Sequence, residues 1–510
     1  MPTADLGPLS AFEEDVPTKA EAGGRTFVVV RRGEGAHVLD HACQHLGAPL
    51  SKGTVVGDEI VCPWHRACFR LADGARSEPP GFDEQRAYGT EVKDGRLVAS
   101  WDEGDAVHPA PDLAAPNGDA RRFAIVGAGA AGLEAAQSLR AFGFAGTVLL
   151  IDREAESPYD RTKLSKGLTK KAGDVRLRDD AWLKRHGITL QRGTVEAVEP
   201  KSRTLTFEGG VSMQVDGIVV APGAEPNRLD VPGADAAGVV TLRSVEDALR
   251  LAEHAKGAAR AVVVGSGFIG MEAATVLSGE GVAVTVLARD EVPFAGLLGE
   301  RIGKRLRREQ EAAGVRFLGG TELERIEEGE DGLVAVAGDE RLPADLVVMA
   351  VGVRPRAGLL SGIEADEDGG VTVEADLTLP GAPGVVLAGD LARVPTAWGA
   401  IRVEHWRWAQ QLGRLAARTL TGQAATYEGA PFFWSKQQAH GSYVYVGHAE
   451  DWDETITEGD VDEGADFAVH YVKDGRVMAT FGHGMADRLS RIERRMAAEG
   501  PVPMSEIGGV

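Results

Sequence analysis

The stretch FAIVGAGAAG, residues Phe123 to Gly132, decides the fold of much of this 510-residue chain. Four apolar residues, typical of a buried strand, run into Gly127, Gly129 and Gly132, and LEAAQSLRAFG continues as an amphipathic helix. In such a unit the first glycine permits a tight turn, the second lets the backbone approach a pyrophosphate, and the third lets helix and strand pack closely. The helix N-terminus then faces the phosphates. The stretch therefore predicts a parallel α/β domain that binds a dinucleotide.

The next strand, TVLLID, ends at Asp152, which is placed to hydrogen-bond a ribose hydroxyl, with Glu154 as a nearby substitute. A second copy of the whole unit follows later in the chain: AVVV runs into GSGFIG, a helix and the strand VAVTVL. Its three glycines are Gly265, Gly267 and Gly270. Two complete units predict two Rossmann-like domains and two bound dinucleotides.

The end of VAVTVL bears on which nicotinamide cofactor binds. NAD-specific folds place an acid there for the ribose 2′-hydroxyl, whereas NADP-binding folds remove the acid and offer arginine. Here the following residues are Ala288, Arg289 and Asp290. The first two favour tolerance of a 2′-phosphate, but Asp290 could reach the ribose. The sequence leaves NADH and NADPH both open.

Near the N-terminus, Cys43-x-His45 and Cys62-x-x-His65 each supply one thiolate and one imidazole from a short loop. This pattern suits a Rieske [2Fe–2S] cluster, in which one iron takes both cysteines and the other both histidines. A Cys2His2 zinc site is an alternative, although zinc motifs group cysteines with cysteines and histidines with histidines. Uncoordinated core residues are the other alternative.

The surrounding sequences, HLGAPL and CPWHRACF, make the first hundred residues resemble the Rieske ferredoxin family. Respiratory-type Rieske proteins join the two loops by a disulfide, but the matching positions here hold Ala48 and Trp64. The resemblance therefore implies a ferredoxin-type cluster without that clamp. The third cysteine, Cys68, has no partner left and is predicted to be a packed residue.

From residue 122 onward the chain resembles the oxygenase-coupled NADH-dependent ferredoxin reductases of the flavin disulfide-reductase superfamily. With its Rieske segment, it is most similar to the Rieske-fused, apoptosis-inducing-factor-like branch. That family places FAD on the first fingerprint and the nicotinamide cofactor on the second, with the second domain inserted into the first. The motifs that carry the resemblance are PYDRTKLSK (158–166), VVAPGAEP (219–226), ADLVVMAVGVRP (344–355), VVLAGDLA (385–392) and FFWS (432–435).

The resemblance also implies roles for individual residues. Lys166 and Glu272 are expected to pair beside the flavin as the catalytic residues, a surface ion pair being the alternative. Arg161 and Lys166 match flavin-contacting positions of the family, whereas Thr162 and Pro222 depart from its usual proline and threonine. The other expected FAD contacts are Gly127, Gly129, Gly132 and Asp152 at the ADP half, Gly389 and Asp390 at the ribityl and inner phosphate, and His405, Trp406 and Trp434 at the pyrimidine end, unless these last three are simple core.

A multidomain protein is expected, because single cores rarely exceed about 250–300 residues. An all-β Rieske domain would precede two α/β Rossmann-like domains and a small α/β C-terminal domain. The expected boundaries are 1–101 for the Rieske domain, 102–121 for a proline-rich linker, 122–235 and 357–425 for the FAD-binding domain, 236–356 for the NAD(P)H-binding domain, and 426–510 for the C-terminal domain.

Composition narrows the possible partners and location. The net charge of −22 disfavours nucleic acid and anionic membranes. No run of 18 apolar residues predicts a membrane span, the N-terminus lacks a targeting segment, and three cysteines fit a reducing compartment, so a cytoplasmic protein is expected. The acidic stretch 450–466 is interpreted as solvated hairpin loops rather than a docking patch. His440, His448, His470 and His483 lack metal-ligand spacing.

The chain has no closely spaced cysteine pair to accept electrons from a flavin, so the tethered cluster is the expected acceptor. The linker would raise its effective concentration near the flavin. Electrons would leave at the exposed edges of His45 and His65, toward an external oxygenase or cytochrome. Oxygen or a quinone are other acceptors, and an NAD(P)H-responsive redox sensor of the apoptosis-inducing-factor type is the alternative function.

Overall fold

The computed structural model describes the chain except residues 103–108, 110, 112, 114–115, 117, 157, 331, 438–441 and 510. Much of the expected linker, and His440, therefore lie outside the described residues. Within the described part, no helix is long and apolar enough to cross a membrane. The α-helices in chain order are α1 (Ala130–Ala141), α2 (Asp180–Arg185), α3 (Val245–Ala255), α4 (Phe268–Gly279), α5 (Ala295–Leu298), α6 (Glu300–Ala312), α7 (Trp406–Leu420) and α8 (Ala486–Glu499).

The N-terminal hundred residues form antiparallel sheets, which confirms the all-β prediction. The predicted strand FVVVRR lies within Arg25–Arg32 and pairs with Gly35–Asp40. In spatial order the larger sheet contains Thr3–Pro8, Arg96–Ser100, Ala87–Lys93, Gly35–Asp40, Arg25–Arg32 and Thr18–Ala22. The smaller sheet, which carries the second ligand loop, contains Thr54–Val56, Glu59–Val61, Cys68–Arg70 and Arg76–Glu78.

Two parallel sheets follow, each built around one glycine fingerprint. The first contains, in spatial order, Ile188–Arg192, Thr147–Asp152, Arg122–Val126, Gly217–Val220 and Val385–Leu387. The second contains Val239–Thr241, Leu346–Met349, Arg260–Val264, Ala283–Leu287 and Arg316–Leu318. Because the chain returns to the first sheet only after completing the second, the second domain is inserted into the first.

Short strands, mostly in antiparallel pairs, complete both halves. Ala224–Pro226 pairs with Val353–Pro355 where the chain crosses between the two sheets. Two three-stranded meanders follow: one contains Val195–Glu199, Thr204–Phe207 and Ser212–Gln214, and the other contains Arg325–Gly329, Gly332–Ala337 and Glu340–Ala344. A third small sheet contains Val371–Thr372, Ala392–Thr396 and Gly399–Ile401.

The C-terminal segment is a sheet covered by α8, and the sequence ADRLSRIERRMAAEG predicts this closing helix. The acidic strand Glu454–Gly459 pairs with Phe467–Lys473. The stretch 450–466 is therefore part of a hairpin, as interpreted from the sequence. Part of its charge is neutralised within the chain, since Asp462 pairs with Arg301. The sheet contains Phe432–Lys436, Ser442–Gly447, Arg476–His483, Phe467–Lys473 and Glu454–Gly459, with Val502–Pro503 beside Arg476–His483.

Helix α7 lies directly on α1, and this contact positions one end of the candidate site. A Cβ atom on Gly413 would lie 2.2 Å from the carbonyl oxygen of Ala131, so only glycine allows the two backbones to approach this closely. The N-terminus of α7 is thereby held near the fingerprint loop that precedes α1.

The Rieske domain is packed against the rest of the protein. Phe82 is buried in the same apolar cluster as the core of the first parallel sheet. Around it, Arg76 forms a buried ion pair with Glu134 at 2.7 Å, and Gln410 Nε2 donates to the carbonyl of Gly81 at 3.0 Å. A buried interface therefore holds the Rieske domain beside the first parallel sheet, in addition to the linker.

Candidate functional site

A cavity of about 690 Å³ opens at the carboxyl end of the first parallel sheet, where dinucleotides bind in such folds. The start of α4 and the C-terminal sheet close its far side. It is lined by, among others, Gly127, Gly129, Asp152, Arg161, Lys166, Glu272, Gly389, Asp390, His405, Trp406 and Trp434, which are predicted site residues.

The three glycines of the first fingerprint have distinct surroundings. A Cβ atom on Gly127 would lie 2.2 Å from the carbonyl oxygen of Ala221, and one on Gly132 would lie 1.8 Å from that of Gly127. On Gly129, by contrast, it would meet nothing closer than Arg161 Nε at 4.0 Å. Gly127 and Gly132 allow the tight turn and close packing, while Gly129 leaves open space above the start of α1. This cradle fits a pyrophosphate.

Asp152 is buried at the end of its strand, on the cavity wall. Glu154, its possible substitute, is engaged by Arg161 at 2.6 Å and by the hydroxyl of Tyr159. Arg161 thus lies at the phosphate loop, on the nucleotide side of the cavity.

Thr162, one of the two departures from the family pattern, has a local consequence. Thr162 donates its backbone N–H to Asp160 Oδ1 at 2.9 Å, a cap that proline could not make. Across the cavity, Asp390 pairs with Arg243 at 2.6 Å and follows Gly389, whose φ of 73° lies in the left-handed region.

Glu272 is a buried carboxylate with a full set of donors. Its Oε2 lies 3.1 Å from Lys166 Nζ and 2.5 Å from Ser165 Oγ, while its Oε1 accepts from Ser435 Oγ at 2.8 Å and from the backbone N–H of Lys436 at 3.1 Å. Burial argues against the surface ion pair. Sequence reasoning missed Ser165 and Ser435, although both stand in the quoted motifs.

Trp434 and His405 form an edge-to-face pair at the end of the cavity nearest the Rieske domain, with ring centroids 4.4 Å apart. His405 precedes α7, and its Nδ1 accepts the backbone N–H of Arg407. Burial, assisted by the charges of Lys166 and Arg407, lowers the pKa of His405 to about 3, so the ring is neutral. Trp406 lines the same cavity but faces Phe82, 6.4 Å away.

The second fingerprint repeats the geometry of the first. A Cβ atom on Gly265 or Gly270 would come within 2.3 Å of a carbonyl oxygen, whereas one on Gly267 would meet nothing within 4 Å. This opening likewise fits a dinucleotide phosphate. Beyond the neighbouring strand, Arg289 is exposed, and its Nε lies 3.8 Å from Asp290 Oδ1.

The two ligand loops of the Rieske domain share a backbone hydrogen bond from the cysteine N–H to the carbonyl of a later alanine. Cys43 N–H donates to Ala48 O at 2.9 Å, and Gly47 N–H donates back to Cys43 O at 2.8 Å. In the second loop, Cys62 N–H donates to Ala67 O at 2.8 Å. Matched loops of this kind present one cysteine and one histidine each from opposite sides of one site.

Within the site, the two histidines lie next to each other, and so do the two cysteines. Nδ1 of His45 lies 3.2 Å from Nδ1 of His65. The neighbouring thiol of Cys62, together with burial, raises the pKa of Cys43. Burial lowers the pKa of His45 to about 4 and that of His65 well below its ordinary value, so both imidazoles are neutral, as metal binding requires.

This pairing fits a two-iron cluster better than a single ion. In the part of the chain that the structure describes, no three His, Cys, Asp or Glu side chains are grouped to hold one metal. A Cys2His2 zinc site would need four such ligands around a single point. All the cysteines are free thiols, so the loops carry no disulfide, and Cys68 is fully buried.

The ring of His65 faces the reductase and not solvent. His65 is 7% exposed, and its ring centroid lies 4.6 Å from that of Trp434; His45 is half-buried, and its ring centroid lies 6.2 Å from the same indole. The expectation of an exposed ring edge is therefore wrong for His65. The packing of the Rieske domain against the C-terminal sheet buries that ring beside the cavity.

The other predicted histidines lie away from the cluster ligands. His470 is buried between Thr480 and Glu458, to which its ring nitrogens hydrogen-bond at 2.9 and 3.0 Å. His448 lies 3.6 Å from Glu450, and His483 hydrogen-bonds to the carbonyl oxygen of Ala465. These are ordinary hydrogen-bonded histidines, as predicted.

A dinucleotide cavity, a second dinucleotide fingerprint and a cluster site in one chain define a nicotinamide-dependent flavoprotein oxidoreductase with an iron–sulfur centre. Residues 121–413 match the pyridine nucleotide-disulphide oxidoreductase family, and residues 4–89 match the Rieske [2Fe-2S] domain. The chain belongs to the pyridine nucleotide-disulphide oxidoreductase family and carries a Rieske domain at its N-terminus.

Similar proteins span the whole chain or its reductase part. Apoptosis-inducing factor 3 of Mus musculus is 32% identical over 504 residues, covering 95% of this chain and 82% of that protein. The biphenyl dioxygenase system ferredoxin–NAD(+) reductase component of Paraburkholderia xenovorans is 32% identical, covering 70% of this chain and 88% of its own length. These similarities confirm the predicted Rieske-fused, apoptosis-inducing-factor-like branch.

Among solved structures, the ferredoxin reductase for the CYP199A2 system from Rhodopseudomonas palustris has a TM-score of 0.70 and 27% identity, covering 76% of this chain and 97% of its own. The predicted fold class, enzyme class and cofactors are confirmed: the protein uses FAD, NAD(P)H and a [2Fe–2S] cluster.

Proposed function

We propose that the protein takes electrons from NAD(P)H and delivers them, through its own Rieske cluster, to an external protein acceptor such as an oxygenase or a cytochrome. The observation that carries the proposal is the chain of aromatic contacts from His65 through Trp434 to His405. It joins a cluster ligand to the lining of the FAD cavity without intervening solvent.

When bound, the cofactors supply the redox chemistry: the flavin accepts a hydride and releases electrons singly, and the cluster carries one electron. The cluster would be held by Cys43, His45, Cys62 and His65. FAD would be held by the first fingerprint, Asp152, Gly389 and Asp390, and the nicotinamide cofactor by the second fingerprint.

The remaining side chains position and insulate the site. Glu272 holds Lys166 at 3.1 Å, and Ser165 and Ser435 fix the carboxylate in turn, so a lysine charge is retained at the cavity wall. A fixed positive charge there would favour negative charge that develops nearby. Trp434 and the neutral His405 exclude water between the cavity and the cluster ligands.

The cysteines of the chain support the same path of electron transfer, from the flavin to the cluster. Family members of the disulfide-reductase type use a dithiol beside the flavin, but Cys43 and Cys62 belong to the cluster site here. Burial holds the pKa of the Cys68 thiol well above its ordinary value, so Cys68 is not a reactive thiolate.

The external acceptor and the cytoplasmic location stay predictions. Two relatives by name serve a biphenyl dioxygenase system and a CYP199A2 system, which supports an oxygenase or cytochrome partner. Similarity to apoptosis-inducing factor 3 over 504 residues supports the second candidate, an NAD(P)H-responsive redox sensor.

The deciding experiment is anaerobic titration with NADH and, separately, NADPH, following flavin absorbance and the Rieske electron paramagnetic resonance signal together. Bleaching of the flavin with appearance of the cluster signal within one turnover supports the proposal. A flavin that is reduced while the cluster stays oxidised contradicts it. Slow reduction, with the flavin staying reduced in air, favours the sensor.

Replacing Trp434 by leucine should slow reduction of the cluster on the order of tenfold, and by more than it slows flavin reduction, because the indole fills the space between His65 and His405 and misplaced redox partners react slowly. Stopped-flow absorbance at flavin and cluster wavelengths measures both steps. Trp452→Phe, which alters an indole packed on Tyr471 at 4.8 Å, is the matched control. Equal cluster rates in both variants would contradict the role of Trp434.

Arg289→Ala should raise the KM for NADPH about tenfold, or ~1.4 kcal/mol, and leave that for NADH unchanged, because NADP-binding folds use an arginine after this strand for the 2′-phosphate and the Arg289 side chain is exposed. Steady-state kinetics with an artificial acceptor measure both constants. Arg316→Ala, on the adjacent strand, is the control. An equal change with both cofactors would show that Arg289 does not read the 2′-phosphate.

A further inference from the structure

Arg66, the residue after the ligand His65, has an unusual backbone conformation. Its φ of 63° lies in the left-handed region, which favours glycine and is strained for a long side chain. The side chain is nevertheless fully buried, with 1% of the residue exposed. A strained, buried arginine persists only where its surroundings compensate for both costs.

The compensation comes from the far end of the chain. Arg66 Nη1 donates to Ser490 Oγ at 2.6 Å and to the carbonyl oxygen of Ala486 at 3.0 Å, both on α8. Its Nε lies 3.9 Å from Glu493 Oε2, one turn further along the same helix. The second ligand loop is thus attached to the helix that covers the C-terminal sheet.

Glu493 links this contact to the cavity. Its Oε1 accepts from Arg407 Nη1 at 2.5 Å, and Arg407 is the second residue of α7, next to the cavity-lining Trp406. Arg407 Nε also donates to the carbonyl of Pro79, in the Rieske domain, at 2.9 Å. Both guanidinium groups and the carboxylate are buried, so the loss of one partner leaves an uncompensated charge in the interface.

We infer that Arg66 is a positioning residue that locks the second ligand loop onto α8 and, through Glu493 and Arg407, onto the start of α7. The expected effect on the rate of cluster reduction rests on the proposed function. The attachment of the ligand loop to α8 does not, because it is a property of the fold. It holds the cluster at one distance from the cavity, so that electron transfer requires no domain movement.

The test uses Arg66→Gly in the full-length holoprotein. Glycine suits the left-handed backbone, so this variant should fold, while the lock to α8 is lost. Asp94→Gly is the matched control, because Asp94 also has a positive φ, 49°, but lies in an exposed turn. We expect faster amide hydrogen exchange in α8 and the ligand loops, and cluster reduction slowed on the order of tenfold to a hundredfold, only in Arg66→Gly. Flavin reduction by NAD(P)H should not change.

Two further variants make the test specific. Ser490→Ala removes the 2.6 Å acceptor without touching the loop backbone and should raise exchange in α8 to a smaller extent. Arg66→Lys keeps a charged donor and should restore part of the cluster reduction rate. Unchanged exchange in α8 of Arg66→Gly would overturn the inference, whatever the rates. If the wild-type cluster is not reduced by NAD(P)H, the proposed function fails, and the exchange comparison still decides the lock.

Discussion

Gly129→Val is expected to abolish FAD binding and, with it, all NAD(P)H oxidation. A Cβ atom on Gly129 meets only Arg161 Nε, at 4.0 Å, so the valine side chain enters the space reserved for a pyrophosphate without disturbing the fold. Substitution of either of the other two glycines of the fingerprint would disturb the fold as well as FAD binding. On Gly132 a Cβ atom lies 1.8 Å from a backbone carbonyl, and the helix itself would have to move.

The flavin absorbance per mole of purified protein measures the effect, and circular dichroism melting checks the fold. Gly173→Val is the matched control, because Gly173 is exposed, has no neighbouring atom within 4 Å of a Cβ and does not have a positive φ. Valine at position 129 with full flavin content would show that FAD does not use this loop.

Cys62→Ser is expected to remove the Rieske electron paramagnetic resonance signal and reduction of the external acceptor, while NADH or NADPH still bleaches the flavin. Cys62 and Cys43 are the proposed thiolate pair of the site, and a serine hydroxyl is a poor ligand for an iron–sulfur cluster. The result separates the two redox centres, since the fingerprint and cavity remain intact.

Cys68→Ser is the matched control, six residues away and equally buried. It should retain the cluster, because Cys68 makes only a 3.4 Å contact to the carbonyl of Arg66. Metal analysis of the wild type should give two irons per chain. One zinc instead of two irons, or loss of the cluster in Cys68→Ser, would contradict the ligand set.

Much of the fold and of the site could be predicted because the signals are local. The glycines of both fingerprints and the Cys-His pairs each lie within a few residues of one another, and their chemistry depends on backbone turns that short segments determine. The closing helix was also predicted to within a residue of α8, because its apolar and charged residues alternate with helical periodicity.

Errors arose where a side chain depends on a distant element. His65 was expected at the surface because Rieske ligands lie on loop tips, but here Trp434 covers it. Ser165 and Ser435 were missed because their common partner, Glu272, comes from a third segment.

The amino-acid sequence alone thus predicted the classes of cofactor, the order of the domains and four candidate cluster ligands, because short motifs and the family resemblance that they carry indicate each of them. Only the tertiary structure decided where the cluster lies relative to the cavity. That position depends on contacts such as Arg66 with Ser490, which are 424 residues apart. Burial and charge pairing across such separations are set by how whole domains pack, and no local pattern in the chain records them.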